Sequence, residues 1–288
     1  MKPASFSYLR PTNVSDACRA LAFYGEKARI IAGGQSLGAM LNMRLVTPSV
    51  LIDVNRLDAL TTIEDAGETI VTGALVRQAD ALIDPRIRSR VPLLAMALPH
   101  VGHYQTRNRG TLGGSVAHAD PSAEVPLVLA TLGGEVDLRS GHRRRRLRAV
   151  DFFRSALVTA CEPDEMLTAL RWPAAKARTC HAFEEFSVRG GDYAIVAVAC
   201  VAQHGENGRL LRVRIGFGGC GDTPQVIESV NAADHTLDDG LVVQIARDAA
   251  SKIECRADLQ ATADYRRHLA FVLGRQVLAA AKLSEARA

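Results

Sequence analysis

The residues whose types and spacing suggest chemistry are concentrated in residues 107–124, which read RNRGTLGGSVAHADPSAE. This stretch combines small backbone-only positions with hydroxyl, basic and acidic side chains, a mixture that suits ligand contact better than a buried core. The residues concerned are Arg107, Arg109, Gly110, Thr111, Gly113, Gly114, Ser115, Asp120 and Glu124. Because glycine lets a backbone approach a ligand and turn its N–H groups inward, the Gly-Gly pair predicts a nest for anionic oxygens.

A second stretch, AGGQSL at residues 32–37, has the same character about eighty positions earlier. It lies in a pattern of strand (residues 28–32), glycine turn, helix (36–45) and strand (50–54). Ser36 at or near the helix N-cap would place free N–H groups and the positive end of the helix dipole beside the turn, where an anion is favoured. A plain tight turn that needs glycine for its backbone angles is the alternative. Two such segments predict a phosphate held from both sides.

Several common site motifs are missing from the sequence. There is no Walker A sequence and no G-x-G-x-x-G of a dinucleotide-binding Rossmann fold. The six cysteines form no C-x-x-C pair or Cys/His cluster, which argues against an Fe–S or zinc site in this chain and favours free buried thiols. We interpret His100 and His103, just before the first stretch, as surface or helix-end histidines rather than catalytic groups.

Composition limits the remaining function classes. A chain of 288 residues, 48% hydrophobic and 23% charged, predicts two domains rather than one. A net charge of +4 does not indicate nucleic acid, and the basic run at residues 142–148 predicts a solvated edge strand, with a docking surface for an acidic partner as the alternative. The N-terminal segment lacks a signal-peptide pattern, and the longest apolar run, residues 193–202, is too short to span a membrane. We therefore expect a cytoplasmic protein.

The remaining patterns predict the elements that position these residues. In order they are a strand at 68–74, a helix at 76–83, a helix at 92–101 interrupted near Pro99, a helix at 125–132 that ends at Gly133-Gly134, a hairpin of strands at 135–138 and 145–150, and a strand at 164–172. Residues 174–178 have linker composition. Strands at 183–188, 194–201 and 210–217 then predict an antiparallel sheet, followed by helices at 241–253 and 265–282.

Three blocks in this order and spacing carry a family resemblance: AGGQSL at 32–37, RNRGTLGGSVAHADPSAE at 107–124 and RGGDYAIVAVA at 189–199. They resemble the FAD-binding medium subunit of the molybdenum hydroxylases, the family of xanthine dehydrogenase, carbon monoxide dehydrogenase and N-heteroaromatic dehydrogenases. The chain is most similar to the separate flavoprotein chains of bacterial carbon monoxide dehydrogenase and of dehydrogenases acting on N-heteroaromatic rings. The resemblance covers essentially the whole chain.

The resemblance implies an α+β fold in two domains. Residues 1–174 would form a two-subdomain FAD-binding domain of the PCMH type, like that of vanillyl-alcohol oxidase, with subdomains at about 1–56 and 57–174. Residues 175–288 would form a C-terminal domain of antiparallel sheet plus helices.

The resemblance also implies cofactor contacts, position by position. The first pyrophosphate loop would be Ala32, Gly33, Gly34, Gln35, Ser36 and Leu37, and the second Thr111, Leu112, Gly113, Gly114 and Ser115. Glu124, and with less support Asp120, would accept hydrogen bonds from ribityl or ribose hydroxyls. Leu167 would contact the ring region, and Asp192 and Tyr193 would lie near the isoalloxazine. Glu184 departs from relatives that carry lysine at its position, which affects the expected flavin potential.

The function implied by the resemblance is electron transfer with noncovalent FAD. The chain would take electrons from [2Fe–2S] clusters of a small partner subunit and pass them to an external acceptor, while a large molybdopterin subunit hydroxylates the substrate. The assembly would be a dimer of heterotrimers, and this chain would supply no general acid or base. The alternatives are a self-contained flavin oxidase, for which His103 or His118 could carry a covalent flavin link, and a non-redox module that binds a nucleotide or docks partners.

Overall fold

The computed structural model describes residues 2–229 and 235–282. The strands in these residues are β1 (Ser7–Leu9), β2 (Ala28–Ile31), β3 (Val50–Asp53), β4 (Ile63–Asp65), β5 (Thr69–Gly73), β6 (Glu135–Arg139), β7 (Arg144–Arg148), β8 (Phe153–Ser155), β9 (Val158–Thr159), β10 (Met166–Pro173), β11 (Thr179–Phe186), β12 (Val196–His204), β13 (Leu210–Gly218) and β14 (Gln225–Ser229). The α-helices are α1 (Val14–Tyr24), α2 (Leu37–Asn42), α3 (Gln78–Ile83), α4 (Pro85–Arg90), α5 (Pro92–Ala97), α6 (Tyr104–Arg109), α7 (Leu112–His118), α8 (Glu124–Leu132), α9 (Ala149–Phe152), α10 (Asp239–Lys252) and α11 (Ala263–Ala280).

A small parallel sheet in the order β1-β3-β2 begins the chain. Asn13 caps α1 by accepting a hydrogen bond from the Asp16 amide at 2.9 Å. The helix packs Ala17 and Leu21 against the central strand, whose Ile52 is completely buried. This sheet holds the glycine turn of residues 32–36 between β2 and α2, as the sequence predicts.

A five-stranded antiparallel sheet in the order β4-β5-β10-β6-β7 follows, with helices α3 to α9 in the same part of the chain. Trp172 on its central strand is completely buried and donates from Nε1 to Thr72 Oγ1 at 3.0 Å. The basic run lies on β7 at the sheet edge, as predicted. Two of its arginines, Arg143 and Arg145, form ion pairs with buried Glu165 at 2.8 and 2.6 Å, so the run is also held to the sheet by charge pairing.

The C-terminal part is a four-stranded antiparallel sheet in the order β11-β12-β13-β14, with α10 and α11 packed on one face. Helices α5 and α8 of the preceding part pack on this sheet as well. At Gly216 a Cβ atom would clash with Thr131 Oγ1 of α8, so glycine permits the close approach of helix and sheet. This contact fixes Glu124, at the start of α8, beside the C-terminal sheet.

The α+β architecture confirms the fold class expected from the sequence. Residues 174–178 lie between β10 and β11, where the linker composition was found, and the division into domains at 174/175 stays a prediction. The sequence patterns missed α1 and a set of elements that are mostly short, namely β1, β4, α4, α6, α9, β8, β9 and β14. They also missed the helix at 112–118, whose glycines suggested a loop. No helix in the described part of the chain is long and apolar enough to cross a membrane.

Candidate functional site

The first glycine segment presents a run of unpaired backbone donors. Within residues 2–229 and 235–282, no group accepts a hydrogen bond from the amides of Gly34, Gln35, Ser36 or Leu37. Gly34 has a positive φ of 70°, and the Gln35 side chain folds back to donate to Gly33 O at 3.1 Å. Successive unpaired amides around a left-handed glycine form a concave donor surface that suits an anion.

The second glycine segment has a different structure: it begins helix α7. Thr111 is the N-cap, and its Oγ1 accepts a hydrogen bond from the Gly114 amide at 3.0 Å. The amides of Leu112 and Gly113 donate to Val76 O at 2.9 Å and Ala74 O at 3.0 Å. Four successive amides, those of Leu112 through Ser115, therefore already have protein acceptors. The groups left to meet a ligand here are the exposed Gly114 backbone and the half-buried Ser115 hydroxyl.

The glycines of the two segments serve chain packing. A Cβ on Gly33 would clash with the Arg109 carbonyl and Gly110, so Gly33 is the point where the first segment touches the second. A Cβ on Gly113 would lie 2.6 Å from Ala74, which keeps α7 against the β5 end of the larger sheet. Both positions are buried. The two segments therefore lie together, in direct backbone contact, as the sequence predicts.

Two residues that sequence reasoning missed join the segments by hydrogen bonds. Asn55, just after β3, donates to Ala32 O at 2.8 Å and accepts from Arg77 Nη2 at 2.7 Å. Arg77 donates from its other terminal nitrogen to Arg109 O. The chain of bonds from Ala32 to Arg109 fixes the spacing of the two segments. Asn55 offered a signal, as a polar residue directly after the predicted strand at 50–54, whereas Arg77 lies inside the predicted helix at 76–83 and gave none.

The third block reaches the same place through Tyr193. Burial of its hydroxyl end raises the pKa of Tyr193, the carboxylates of Asp120 and Glu124 raise it further, and a hydrogen bond with the Ser36 side chain lowers it. Tyr193 is 58% exposed as a whole, so its ring remains available while its hydroxyl faces the first segment. Ser36, Asp120, Glu124 and Tyr193, predicted from three separate blocks, are therefore neighbours.

Glu124 is the most strongly perturbed acid of this group. It is 7% exposed at the start of α8, and burial raises its pKa to about 7, with the Glu185 and Asp120 carboxylates adding to the rise and His100 opposing it. A carboxyl group in this state is available both as a hydrogen-bond donor and as an acceptor near neutral pH.

Glu185 and His100 form an ion pair beside Glu124, and neither was predicted from the sequence as a site residue. His100 Nδ1 lies 3.4 Å from Glu185 Oε1, and the pKa of His100 is raised, chiefly by its hydrogen bond to Glu185. The second oxygen of Glu185, Oε2, is buried and has no partner in the described residues. Along β11 successive side chains point to opposite faces, so Glu184 is exposed while Glu185 turns inward.

A cavity of about 350 Å³ lies beside this ion pair. Its lining includes His100, His103, Arg107, Glu185, Gly190 and Gly191. Gly191 packs directly on the His103 ring, so the glycine pair before Tyr193 lies against the segment that leads into α6.

Leu167 and Asp192 are the predicted residues that remain to be placed. Leu167 is 7% exposed and packs in the core of the larger sheet, next to Thr168, whose carbonyl accepts from the Ala74 amide at 2.9 Å. Asp192 is exposed, and its amide donates to Arg189 O at 3.0 Å. Their contact with a cofactor stays a prediction.

Comparison with known proteins identifies relatives over the whole chain. Residues 4–175 match the family model described as "FAD binding domain in molybdopterin dehydrogenase", and residues 181–281 match "CO dehydrogenase flavoprotein C-terminal domain". The chain is 37% identical to the 6-hydroxypseudooxynicotine dehydrogenase complex subunit alpha of Paenarthrobacter nicotinovorans, over 98% of this chain and 96% of that protein.

Two solved structures share the fold along their full length. A chain of carbon monoxide dehydrogenase from Hydrogenophaga pseudoflava superposes with a TM-score of 0.93 at 32% identity, covering 98% of each chain. A chain of quinoline 2-oxidoreductase from Pseudomonas putida 86 superposes with a TM-score of 0.90 at 33% identity, again over 98% of each chain.

Proposed function

Because the chain belongs to the FAD-binding medium subunits of the molybdenum hydroxylases, we propose that it is the electron-transfer subunit of a heterotrimeric enzyme. It would take electrons from [2Fe–2S] clusters of a small partner subunit and pass them to an external acceptor. The observation that carries the proposal is the convergence of Ser36, Asp120, Glu124 and Tyr193 on one site that also contains a run of unpaired amides.

The residues present fit the diphosphate of FAD. Two phosphates carry about two negative charges and require converging donors. The amides of residues 34–37 supply them, with the Ser36 hydroxyl close by. The second segment contributes through Ser115 and exposed Gly114, while its own amides hold the protein together. The predicted phosphate site between the two segments is therefore asymmetric, with most backbone donors on the first segment.

The acids fit the hydroxyl groups of the cofactor. A carboxyl with a pKa of about 7, such as Glu124, can accept from one hydroxyl and donate to another, whereas a fully ionised carboxylate can accept only. Asp120 Oδ1 already accepts from the Ser122 amide at 2.9 Å, so less of its acceptor capacity remains. We therefore assign the main hydroxyl contact to Glu124.

FAD supplies the redox chemistry when bound, and the protein determines its position and electrostatic surroundings. Tyr193 offers an exposed aromatic face on the same side as Ser36. The inward carboxylate near this site belongs to Glu185, paired with His100, so we transfer to Glu185 the effect on flavin potential that the sequence suggested for Glu184. A negative group there disfavours further negative charge nearby.

The assembly follows from the same family membership. We propose an FAD-binding domain at residues 1–174, with subdomains at about 1–56 and 57–174, a C-terminal domain at 175–288, and a dimer of heterotrimers with a small iron–sulfur subunit and a large molybdopterin subunit. The substrate pocket would then lie on the large subunit, because the site described above is assigned to a cofactor.

Purification of the chain alone and with its native partners tests the proposal. The isolated chain should be yellow, release FAD into solution on acid precipitation and turn over no organic substrate, whereas the complex should contain molybdenum and iron. Colourless protein that cannot be reconstituted with FAD would refute the cofactor assignment. Flavin that stays on the denatured polypeptide would instead support a self-contained flavin oxidase.

A further inference from the structure

Cys220 and Cys255 are brought together by the backbone of the C-terminal part. Cys220 follows β13, and Cys255 lies in the connection between α10 and α11. The Arg256 amide donates to Cys220 O at 2.9 Å, so the backbone next to Cys255 lies against that of Cys220. A disulfide requires such proximity, because the Cα atoms of the two cysteines that it joins are typically about 4.4–6.8 Å apart.

The Cys255 backbone is held on both sides. The Gln225 side chain donates to Glu254 O and accepts from the Glu254 amide, both at 2.8 Å. Together with the Arg256 bond, this clamp fixes the residue before and the residue after Cys255. The backbone segments that carry the two cysteines are therefore held together by hydrogen bonds of the fold.

The two thiols differ in accessibility and acidity. Cys220 is completely buried, whereas Cys255 is half-buried. The pKa of Cys255 is lowered to about 7, chiefly by a hydrogen bond from Cys220 and also by the charges of Arg267 and Arg266, against the opposing effect of burial. The same hydrogen bond and burial raise the pKa of Cys220. By contrast, burial raises the pKa of Cys161, which is also half-buried, to about 12.

Arg266 connects this thiol pair with the candidate FAD site. Its buried guanidinium donates to the carbonyls of Ile195 and Gly219 and pairs with Asp258 at 2.6 Å. The Gly219 amide in turn donates to Pro121 O at 2.8 Å. Ile195 follows Tyr193 by two residues, and Pro121 lies between the two acids of the site. Both site segments are therefore joined by one or two hydrogen bonds to the backbone of Gly219, the residue before Cys220.

We propose that Cys220 and Cys255 form a reversible disulfide, and that its formation shifts the backbone segments around Tyr193 and Pro121. With a peroxide as oxidant, the Cys255 thiolate attacks one peroxide oxygen and becomes a sulfenic acid, and hydroxide leaves. The Cys220 thiol then attacks that sulfur, the S–S bond forms and water leaves. Two thiols and one hydrogen peroxide thus give one disulfide and two waters, and a dithiol reverses the change. The inference does not depend on the proposed electron-transfer role.

Peptide mass spectrometry of the full-length protein tests the disulfide. After hydrogen peroxide treatment and unreduced digestion, a cross-linked peptide containing residues 220 and 255 should appear two hydrogens lighter than its parts, and dithiothreitol should remove it. Cys255→Ser and Cys220→Ser should each abolish the cross-link, and Cys18→Ser, a buried cysteine elsewhere, should leave it unchanged. Recovery of both cysteines on separate peptides after peroxide treatment would overturn the proposal.

Two further measurements test reactivity and coupling. At pH 7, iodoacetamide should modify Cys255 at least about fivefold faster than Cys161, because the thiolate fraction is larger even after allowing for its lower nucleophilicity. Oxidation should change hydrogen exchange in peptides covering residues 193–196 and 218–221, and it should not do so in Cys255→Ser. Equal alkylation rates would overturn the assignment of Cys255 as the attacking thiol, and unchanged exchange in cross-linked protein would overturn the coupling.

Discussion

Glu124→Gln should stabilise the cofactor-free chain, by an amount that grows from about pH 4.5 to about pH 7. The Glu124 carboxyl is 7% exposed, and its pKa rises from 4.5 to about 7 on folding. Each pKa unit corresponds to about 1.4 kcal/mol, so keeping this group ionised in the folded chain costs about 3 kcal/mol of the free energy of unfolding. Glutamine has nearly the same shape and carries no charge at any pH.

The sign of the pH dependence follows from proton binding. Below about pH 4.5 the carboxyl is neutral in the folded and unfolded chains. Between about pH 4.5 and 7 the folded chain keeps a proton that the unfolded chain has lost, so the stability of the wild type falls as pH rises. Above about pH 7 the full cost is present. Burial chiefly sets the upper limit of this range, and the facing groups adjust it: the Glu185 and Asp120 carboxylates raise the pKa of Glu124 and His100 lowers it.

Melting temperatures of wild type and variant, measured by calorimetry between pH 5 and 8 on cofactor-free protein, check this reasoning. The advantage of Glu124→Gln should grow by about 2–3 kcal/mol across that range, or about 5 °C for a chain of this size. Glu68→Gln, the same change at an exposed position, should show no such trend. A difference that is equal at pH 5 and pH 8 would refute the argument that Glu124 is buried in its protonated form.

Three further substitutions examine the rest of the site. Gly33→Ala should lower the flavin-to-protein ratio at least tenfold, because its Cβ would force the two segments apart. Gly38→Ala is the control: nothing lies within 4 Å of the new methyl, so this variant should retain flavin and gain up to about 1 kcal/mol of stability. Arg77→Lys should also reduce flavin content, since one ammonium cannot span both acceptors of the guanidinium, and exposed Arg88→Lys should not. Tyr193→Ala should keep flavin bound but increase quenching of its fluorescence by iodide; unchanged quenching would remove Tyr193 from the cofactor surface.

The sequence predicted the elements whose patterns are locally complete. The turn between β2 and α2, the helix that ends at Gly133 and the three long strands of the last sheet were all recognisable from periodicity and glycine position. In the site, the three blocks indicated residues that the fold does bring together, most clearly Ser36 with Tyr193.

The parts that were missed depend on contacts between distant residues. Asn55 is a single polar residue after a strand and Arg77 is the residue before α3, and their role appears only when both carbonyl acceptors are in place. The inward direction of Glu185 depends on the exact start of β11, which fixes strand alternation. The sequence could not show that the amides of residues 112–115 donate inside the protein, because two of their acceptors lie near residue 75.

The packing of Gly33 and Gly113 changes how a match to these motifs should be interpreted. Each glycine is required by a neighbouring stretch of the same polypeptide, so a descendant that had stopped binding any nucleotide would still be selected to keep both. The two glycines would then persist in the sequence after nucleotide binding had been lost. Residues 34–37 are a better marker of a chain that still binds its ligand. Their amides have no acceptor in the described residues, and loss of the ligand would remove the selection that keeps these amides unpaired.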